Sequence, residues 1–404
     1  MFKNREGTFS NHESEIKAEM SDYSGPFIPN LRFDDLSKEF LLKVIRSWQY
    51  SWLQLEGGWM EEVEKRFGVH VAMGCDLQMW LRCAERCNTR YVKIANIPMK
   101  NAVDCLKALQ LPLDNTMGAV YPTKQEIKNE NHAIVTVVRC PSVEWWEKNA
   151  PERIVPMCHI VEPPLIDRYK VNLDVQLFAL KLPPRKNPDD IACQWEYIYR
   201  APKGTRVRSK EEVVDETTDP PEIDDLSGPY YPHLTHAHFS KPFLLKMIHA
   251  WQYAWLVMNE GYYLTVRMRY GSAVADACEL GAWMRLADKA NWRYPKIANI
   301  RLNTVTDSLK LLQLPMDSTS TTGLFPAKYD VKSPNHVIMR ITKGLTPEYL
   351  DGAEPLRTPP MYHDGGRSIM EKYLVNPKIK VTPLRLPPRN DDDEIDCEWE
   401  LALA

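Results

Sequence analysis

From Ser37 onward, apolar residues recur at three- and four-residue steps: Leu41, Val44, Ile45, Trp48, Trp52, Leu55 and Trp59. This spacing predicts one amphipathic helix with a wide apolar stripe, capped by Ser37 and closed by Gly68. At 1.5 Å per residue it would be about 45 Å long. Gly57-Gly58 in its middle is expected either to kink it or to admit a second backbone. The pattern returns at Ser240–Gly271, where Pro242 occupies the first turn, the part of a helix in which its missing N–H costs nothing. Between Ser37–Met60 and Ser240–Tyr263, 13 of 24 positions are identical at a constant offset of 203.

The repetition extends well beyond this helix. A second helical stretch is predicted over roughly Val71–Arg86 and Val274–Lys289, leading into NTRYVKIANI (Asn88–Ile97) and NWRYPKIANI (Asn291–Ile300), which differ at two positions. Another helix ends in LKALQLPLD (Leu106–Asp114) or LKLLQLPMD (Leu309–Asp317), with the proline as terminator. The β-branched runs Asn131–Cys140 and Asn335–Gly344 follow at offset 204, then a helix, a strand ending in LKLPPR (Leu180–Arg185) or LRLPPR (Leu384–Arg389), and a last strand. That strand, Ile191–Tyr199 or Ile395–Leu403, alternates with a period of two and sets Cys193 and Trp195 on one face. Each unit also opens on an extended lead-in, Ser24–Leu31 or Ser227–Leu234.

These patterns predict an α+β fold built by tandem duplication. In each repeat a helical subdomain precedes a small antiparallel α+β subdomain, and the halves pair about a pseudo-two-fold axis. The expected boundaries are a flexible arm over 1–21, a first repeat over 22–200 (helical 35–118, α+β 128–200), a charged, proline-containing linker over 201–224, and a second repeat over 225–404 (helical 238–323, α+β 332–404).

Composition changes this picture little. The 404 residues are 44% hydrophobic and 26% charged with a net charge of −3, which gives no global pull toward nucleic acid or an anionic membrane. With no signal-like or membrane-spanning apolar run, the expectation is a cytoplasmic protein without nucleic-acid or membrane partners. Nine cysteines with no CxxC pair fit reduced thiols. Twelve Trp and eighteen Tyr supply either a generous core or the walls of a pocket for a flat ligand.

The WxxxW helix, the KIANI run, the Cys-containing helix and the closing CxW strand together resemble a family of uncharacterised proteins of anaerobic microbes that is similar to the L-2-amino-thiazoline-4-carboxylate hydrolases. The closing hairpin also resembles the ligand-binding 4-vinyl reductase domain. These resemblances imply a small-molecule site without specifying a reaction.

No phosphate-binding glycine loop, nucleophile elbow or HExxH occurs, so no nucleotide cofactor is expected. The candidate chemistry gathers at Cys140, Cys158, His159, Glu162 and Cys193. Thiolate, imidazole and carboxylate are zinc or iron ligands, and His159 and Glu162, three apart, share a helical face. Against a metal, the second half keeps His363 and Cys397 but has Gly344 and Tyr362 at the positions of Cys140 and Cys158. The same residues offer a cysteine nucleophile, Cys140 or Cys158, beside a histidine base, and His159 or His363 could act as general acid–base. His132 and His336 suit a structural hydrogen bond better. Asn88, Arg90, Tyr91, Lys93 and Asn96, repeated as Asn291, Arg293, Tyr294, Lys296 and Asn299, either tie helices to sheet or, through Arg90 and Arg293, anchor a substrate carboxylate. Gln49 with Trp52, and Gln252 with Trp255, suit a pocket wall or a helix edge.

Two functions fit. One is a hydrolase or lyase acting on a small cyclic or aromatic carboxylic acid between helical and α+β subdomains, with one working half. The other is a non-catalytic binding or sensor protein for a hydrophobic or tetrapyrrole-like ligand.

Overall fold

A computed structural model describes residues 19–113, 121–217, 219–342, 361–387 and 395–403. The chain is mixed α+β, with two antiparallel four-stranded sheets. Most of the arm expected over 1–21 lies outside the described residues. Its end is ordered by Met20, which bridges to Leu36 and accepts a hydrogen bond from Ser37 N at 2.8 Å.

The tryptophan helix, α1, spans Lys38–Phe67 without a break, and Ser37 accepts from Phe40 N as its N-cap. It ends because Gly68 takes a φ of 83°, open to glycine at little cost. Next come α2 (Val69–Cys83), a π-wound turn (Ala84–Asn88), α3 (Thr89–Ile94) and α4 (Ala102–Leu109). β1 (Thr123–Asn129), β2 (His132–Val137), α5 (Pro141–Asn149), α6 (Glu162–Tyr169), β3 (Val175–Lys181) and β4 (Cys193–Tyr199) complete this half. The short α7 (Lys210–Val213) is followed by α8 (Lys241–Tyr270), α9 (Ser272–Ala290), α10 (Tyr294–Ile297) and α11 (Val305–Gln313). β5 (Ala327–Ser333), β6 (His336–Thr342), α12 (Arg367–Tyr373), β7 (Ile379–Arg385) and β8 (Ile395–Leu403) end the chain. The sheets have the same order, β1-β2-β4-β3 and β5-β6-β8-β7.

The edge strand β1 is absent from the sequence reading, which starts the sheet at 128. Its segment TKQEIKN buries only Ile127, so no apolar alternation marks it. Residues 201–224, expected as a linker, also carry fixed contacts. Arg208 Nε donates to Glu130 Oε2 at 2.6 Å, and Val213 is buried against the first sheet.

The core lies where the helices of the two halves cross. α1 packs along α9, and α2 along α8. Trp48 Nε1 donates to the Leu314 carbonyl at 2.8 Å, and its counterpart Trp251 donates to the Leu111 carbonyl at 2.9 Å. Gly58 does not kink α1. It lets α9 approach so closely that a Cβ there would sit 2.9 Å from Ala282 Cα, while Gly261 gives α2 the same access at Met79. Trp59 stacks on Tyr262 with the planes 2° apart and donates to Asn259 Oδ1 at 2.9 Å. Each such fully buried tryptophan removes about 150–250 Å² from water, worth about 4–6 kcal/mol before entropy is counted.

The lead-ins cross over as well. Tyr23 N donates to the Ala298 carbonyl and Leu226 N to the Ala95 carbonyl, both at 2.8 Å, so each half's opening segment is held by the other half. Asn96 and Asn299 take φ of 52° and 53°, a left-handed conformation that asparagine tolerates, and hydrogen-bond to Asp225 and Asp22. The repeated polar run is therefore a joint between halves. Asn88 and Asn291 instead tie each half internally, donating to the carbonyls of Tyr169 and Tyr373.

Candidate functional site

A partly enclosed cavity of ≈ 460 Å³ lies in the first half, between its helices, its sheet and the second half's lead-in. That is within the range of small-molecule sites. From α1 come Leu53 and Glu56, three residues apart on one face; from α2 come Asp76 and Trp80, one turn apart. The sheet floor presents Val135, Val137, Cys193 and Trp195, paired in register as Val135 with Trp195 and Val137 with Cys193. The chain leading into α6 is π-wound over Pro156–Val161, and this winding puts Cys158 and Glu162 on the cavity side.

The same winding separates residues that the sequence grouped. His159 is exposed, does not line the cavity, and has Nε2 2.5 Å from the Pro183 carbonyl oxygen; His363 makes the same contact with Pro387 at 2.6 Å. Nε2 must donate in both, so each ring closes a turn on the surface. The other expected histidine pair bonds to carboxylates and not to backbone: His132 to Glu196 at 2.8 Å and His336 to Glu400 at 2.9 Å.

Cys140, Cys158, Glu162 and Cys193 all line the cavity. Burial pushes the thiols upward, Cys140 to about 11 and Cys193 to about 12, with Glu162's charge adding to the effect at each. Cys158 is pushed higher by the same causes. Thiols so placed stay protonated at neutral pH and lack the activation a nucleophile needs. Among the described residues no group of three or more His, Cys, Asp and Glu side chains is arranged to hold a metal.

The expected substrate anchors are elsewhere. Arg90 is exposed and lies over the Tyr253 ring at 4.9 Å, and Arg293 lies over Tyr50 at 3.5 Å, so both are cation–π ties between halves. Gln49 and Gln252 are buried and donate to the carbonyls of Leu113 and Met316, each at 3.2 Å. Trp52 and Trp255 pack on each other at 6.0 Å in the core. None of these six lines the cavity.

The wall takes its character from Glu56, which continues the polar line of Gln49 that the sequence offers as a pocket wall, and from Asp76, Trp80, Gln110 and Tyr121, which the sequence does not mark as site residues. Asp76 left one signal, a carboxylate on the otherwise apolar face of α2. It is buried and accepts a hydrogen bond from Tyr262, and Trp80 Nε1 donates to Glu56 Oε1 at 3.3 Å. Among the described lining residues there is neither Lys nor Arg.

Burial pushes the Asp76 carboxyl up to about 7. Its folded-state pKa thus exceeds the unfolded value of 3.8, and between those values the folded protein holds a proton that the unfolded chain has lost. The contribution is full below about 4 and is lost as pH rises through about 7. Buried His236 runs the other way: burial lowers its pKa to about 4, so its contribution is lost as pH falls below the ordinary 6.5. Asp76→Asn cancels the first effect alone. The variant should gain on the order of 2–4 kcal/mol relative to wild type between pH 4 and 8. Urea denaturation of both proteins across this range checks it, and a pH-independent difference would refute it.

Among the described residues, matched positions of the second-half sheet carry larger side chains. Gln125, Val135 and Val137 are answered by Tyr329, Met339 and Ile341, with Met339 opposite Trp399 as Val135 is opposite Trp195. Tyr329 packs edge-on to Phe27 and bonds to Thr319 Oγ1 at 2.6 Å. Glu56 is answered by Asn259, which donates to Glu279 at 2.5 Å.

Residues 34–199 match the model of a family of unknown function (DUF6125), a stretch that includes every cavity-lining residue except those from Tyr230 to Thr235. No curated protein and no solved structure matches the chain. Similarity to the L-2-amino-thiazoline-4-carboxylate hydrolases or to the 4-vinyl reductase domain is not found.

Proposed function

We infer that the protein binds a small organic molecule in the cavity of its first half, the second half serving as a structural counterpart whose lead-in completes the wall. The observation that carries this reading is the cavity itself, floored by Val135 and Val137 where the matched positions of the second sheet hold the larger Met339 and Ile341. The reciprocal contacts between halves support a tandem duplication, paired about a pseudo-two-fold axis, in which one copy kept an open site. Nine cysteines, none of them in a disulfide, fit a reducing, cytoplasmic setting.

The Val135→Met/Val137→Ile double variant transplants the larger floor residues of the second sheet. In a thermal-shift and calorimetry screen of small organic molecules, wild type is expected to gain several degrees with its ligand, while the double variant loses at least about tenfold in affinity at a cost to stability of about 1–3 kcal/mol. Equal binding by both proteins would place the ligand elsewhere and end this reading.

Hydrolase or lyase chemistry on the bound molecule is favoured by one observation, the raised Asp76 carboxyl at the cavity wall. Asp76→Asn protein that binds the ligand and fails to convert it would support that reading; undiminished turnover would remove Asp76 from it. A carboxylic acid substrate is disfavoured, because Arg90 and Arg293 lie outside the cavity.

A further inference from the structure

The two halves differ at one hydrogen bond beside the cavity. In the second half, Gln313 Nε2 donates to the Ile28 carbonyl at 2.9 Å and its Oε1 accepts from Tyr23 Oη at 2.7 Å. In the first, Gln110 Nε2 donates to the Tyr231 carbonyl at 3.0 Å, the equivalent bond. The position of Tyr23 is taken by Leu226, which has no hydroxyl, and Gln110 Oε1 is buried with no hydrogen-bond partner. Gln110 is 7% exposed and lines the cavity. An orphaned acceptor of this kind is costly unless something supplies a donor.

The charged groups around it are mainly acidic. Glu56 and Glu162 line the same cavity, Asp76 adds a carboxyl that burial holds partly protonated near neutral pH, His233 lines it too, and no lining residue among those described is Lys or Arg. Trp80, Trp146 and Trp195 contribute aromatic surface, which attracts organic cations as well as flat rings. Acceptors, negative charge and aromatic faces converge on a ligand that is flat, donates hydrogen bonds and is positively charged.

Resting on the binding reading above, we propose that the cavity takes an aromatic or cyclic organic cation, an ammonium or amidinium, whose N–H group satisfies Gln110 Oε1 while the carboxylates balance its charge. Leu226 is then the residue that leaves this acceptor open, and the second half shows what closes it: a tyrosine hydroxyl in the ligand's place.

The test is calorimetry on the full-length protein at neutral pH with three indole probes of similar size: tryptamine (cation), tryptophol (neutral) and indole-3-propionate (anion). The proposal expects tryptamine to bind at least about tenfold more tightly than tryptophol, with no saturable binding of indole-3-propionate. Leu226→Tyr, which restores the hydroxyl donor, should weaken tryptamine about tenfold and leave tryptophol's affinity nearer to its wild-type value. A tyrosine at this buried position adds volume that can disturb the fold, so the wild-type probe order decides the matter by itself. Tryptophol or indole-3-propionate binding as tightly as tryptamine, and lost in Val135→Met/Val137→Ile, would overturn the charge assignment and leave the binding reading intact. Saturable binding by none of the three would overturn both.

Discussion

Trp48→Ala is expected to destabilise the protein by about 3–5 kcal/mol, the range for emptying a fully buried indole site. Trp48 is inaccessible to solvent, packs edge-on against Phe33 at 5.4 Å, and donates to the Leu314 carbonyl of the other half. Truncation leaves a cavity and also leaves that carbonyl without its donor, and the two costs add. Trp251→Ala should behave alike, because its indole makes the mirror contact with Leu111. Trp145, 52% exposed, is the control and should change stability by no more than about 0.5 kcal/mol. Urea denaturation followed by fluorescence of the remaining tryptophans measures all three. A loss under about 1 kcal/mol at Trp48 would mean that the halves are not locked at this seam.

Two adjacent glycines give the second prediction, with opposite signs. Gly58→Ala should destabilise by about 1–3 kcal/mol, because the new Cβ would meet the backbone of α9 at Ala282, at 2.9 Å from Cα and 3.1 Å from O. The helices must separate to admit it, and the packing along α1 and α9 loosens with them. Gly57→Ala meets only an arginine tip at 3.8 Å, so it should gain about 0.5–1 kcal/mol from helix propensity and a less flexible unfolded chain. Thermal denaturation of the two variants checks this. Equal shifts of one sign would show that neither glycine marks a close approach.

The glycine pair illustrates how far sequence reasoning reached. Its two options for Gly57-Gly58 were a kink or a close approach, and it could not choose, because the approaching backbone belongs to Ala282, more than 200 positions away. The candidate site divides in the same way. Cys140, Cys158, Glu162 and Cys193 were found as a group and do line one cavity. His159 was placed with them on the strength of ordinary helical spacing, and the π-wound turn at Pro156–Val161 sends it to the surface. The polar residues repeated in both halves, Asn88, Arg90 and Asn96, looked equally suited to binding and to structure. They are structural because each reaches its partner across a junction that no local pattern records.

The amino-acid sequence by itself determined the local elements and their recurrence. Helical stripes, caps at Ser37 and Ser240, glycine stops and the alternation around Trp195 are short-range properties, set by backbone sterics and by which side of an element is apolar. Only the tertiary structure decided that the lead-ins exchange between halves, that the tryptophans of α1 build the core while Leu53 and Glu56 of the same helix reach a cavity, and that this cavity lies in the first half. Those outcomes depend on side-chain volume and hydrogen-bond partners brought together from distant positions. Valine against methionine on the sheet floor, and leucine against tyrosine beside a repeated glutamine, are small changes in sequence that become an open acidic site only when the chain is folded around them.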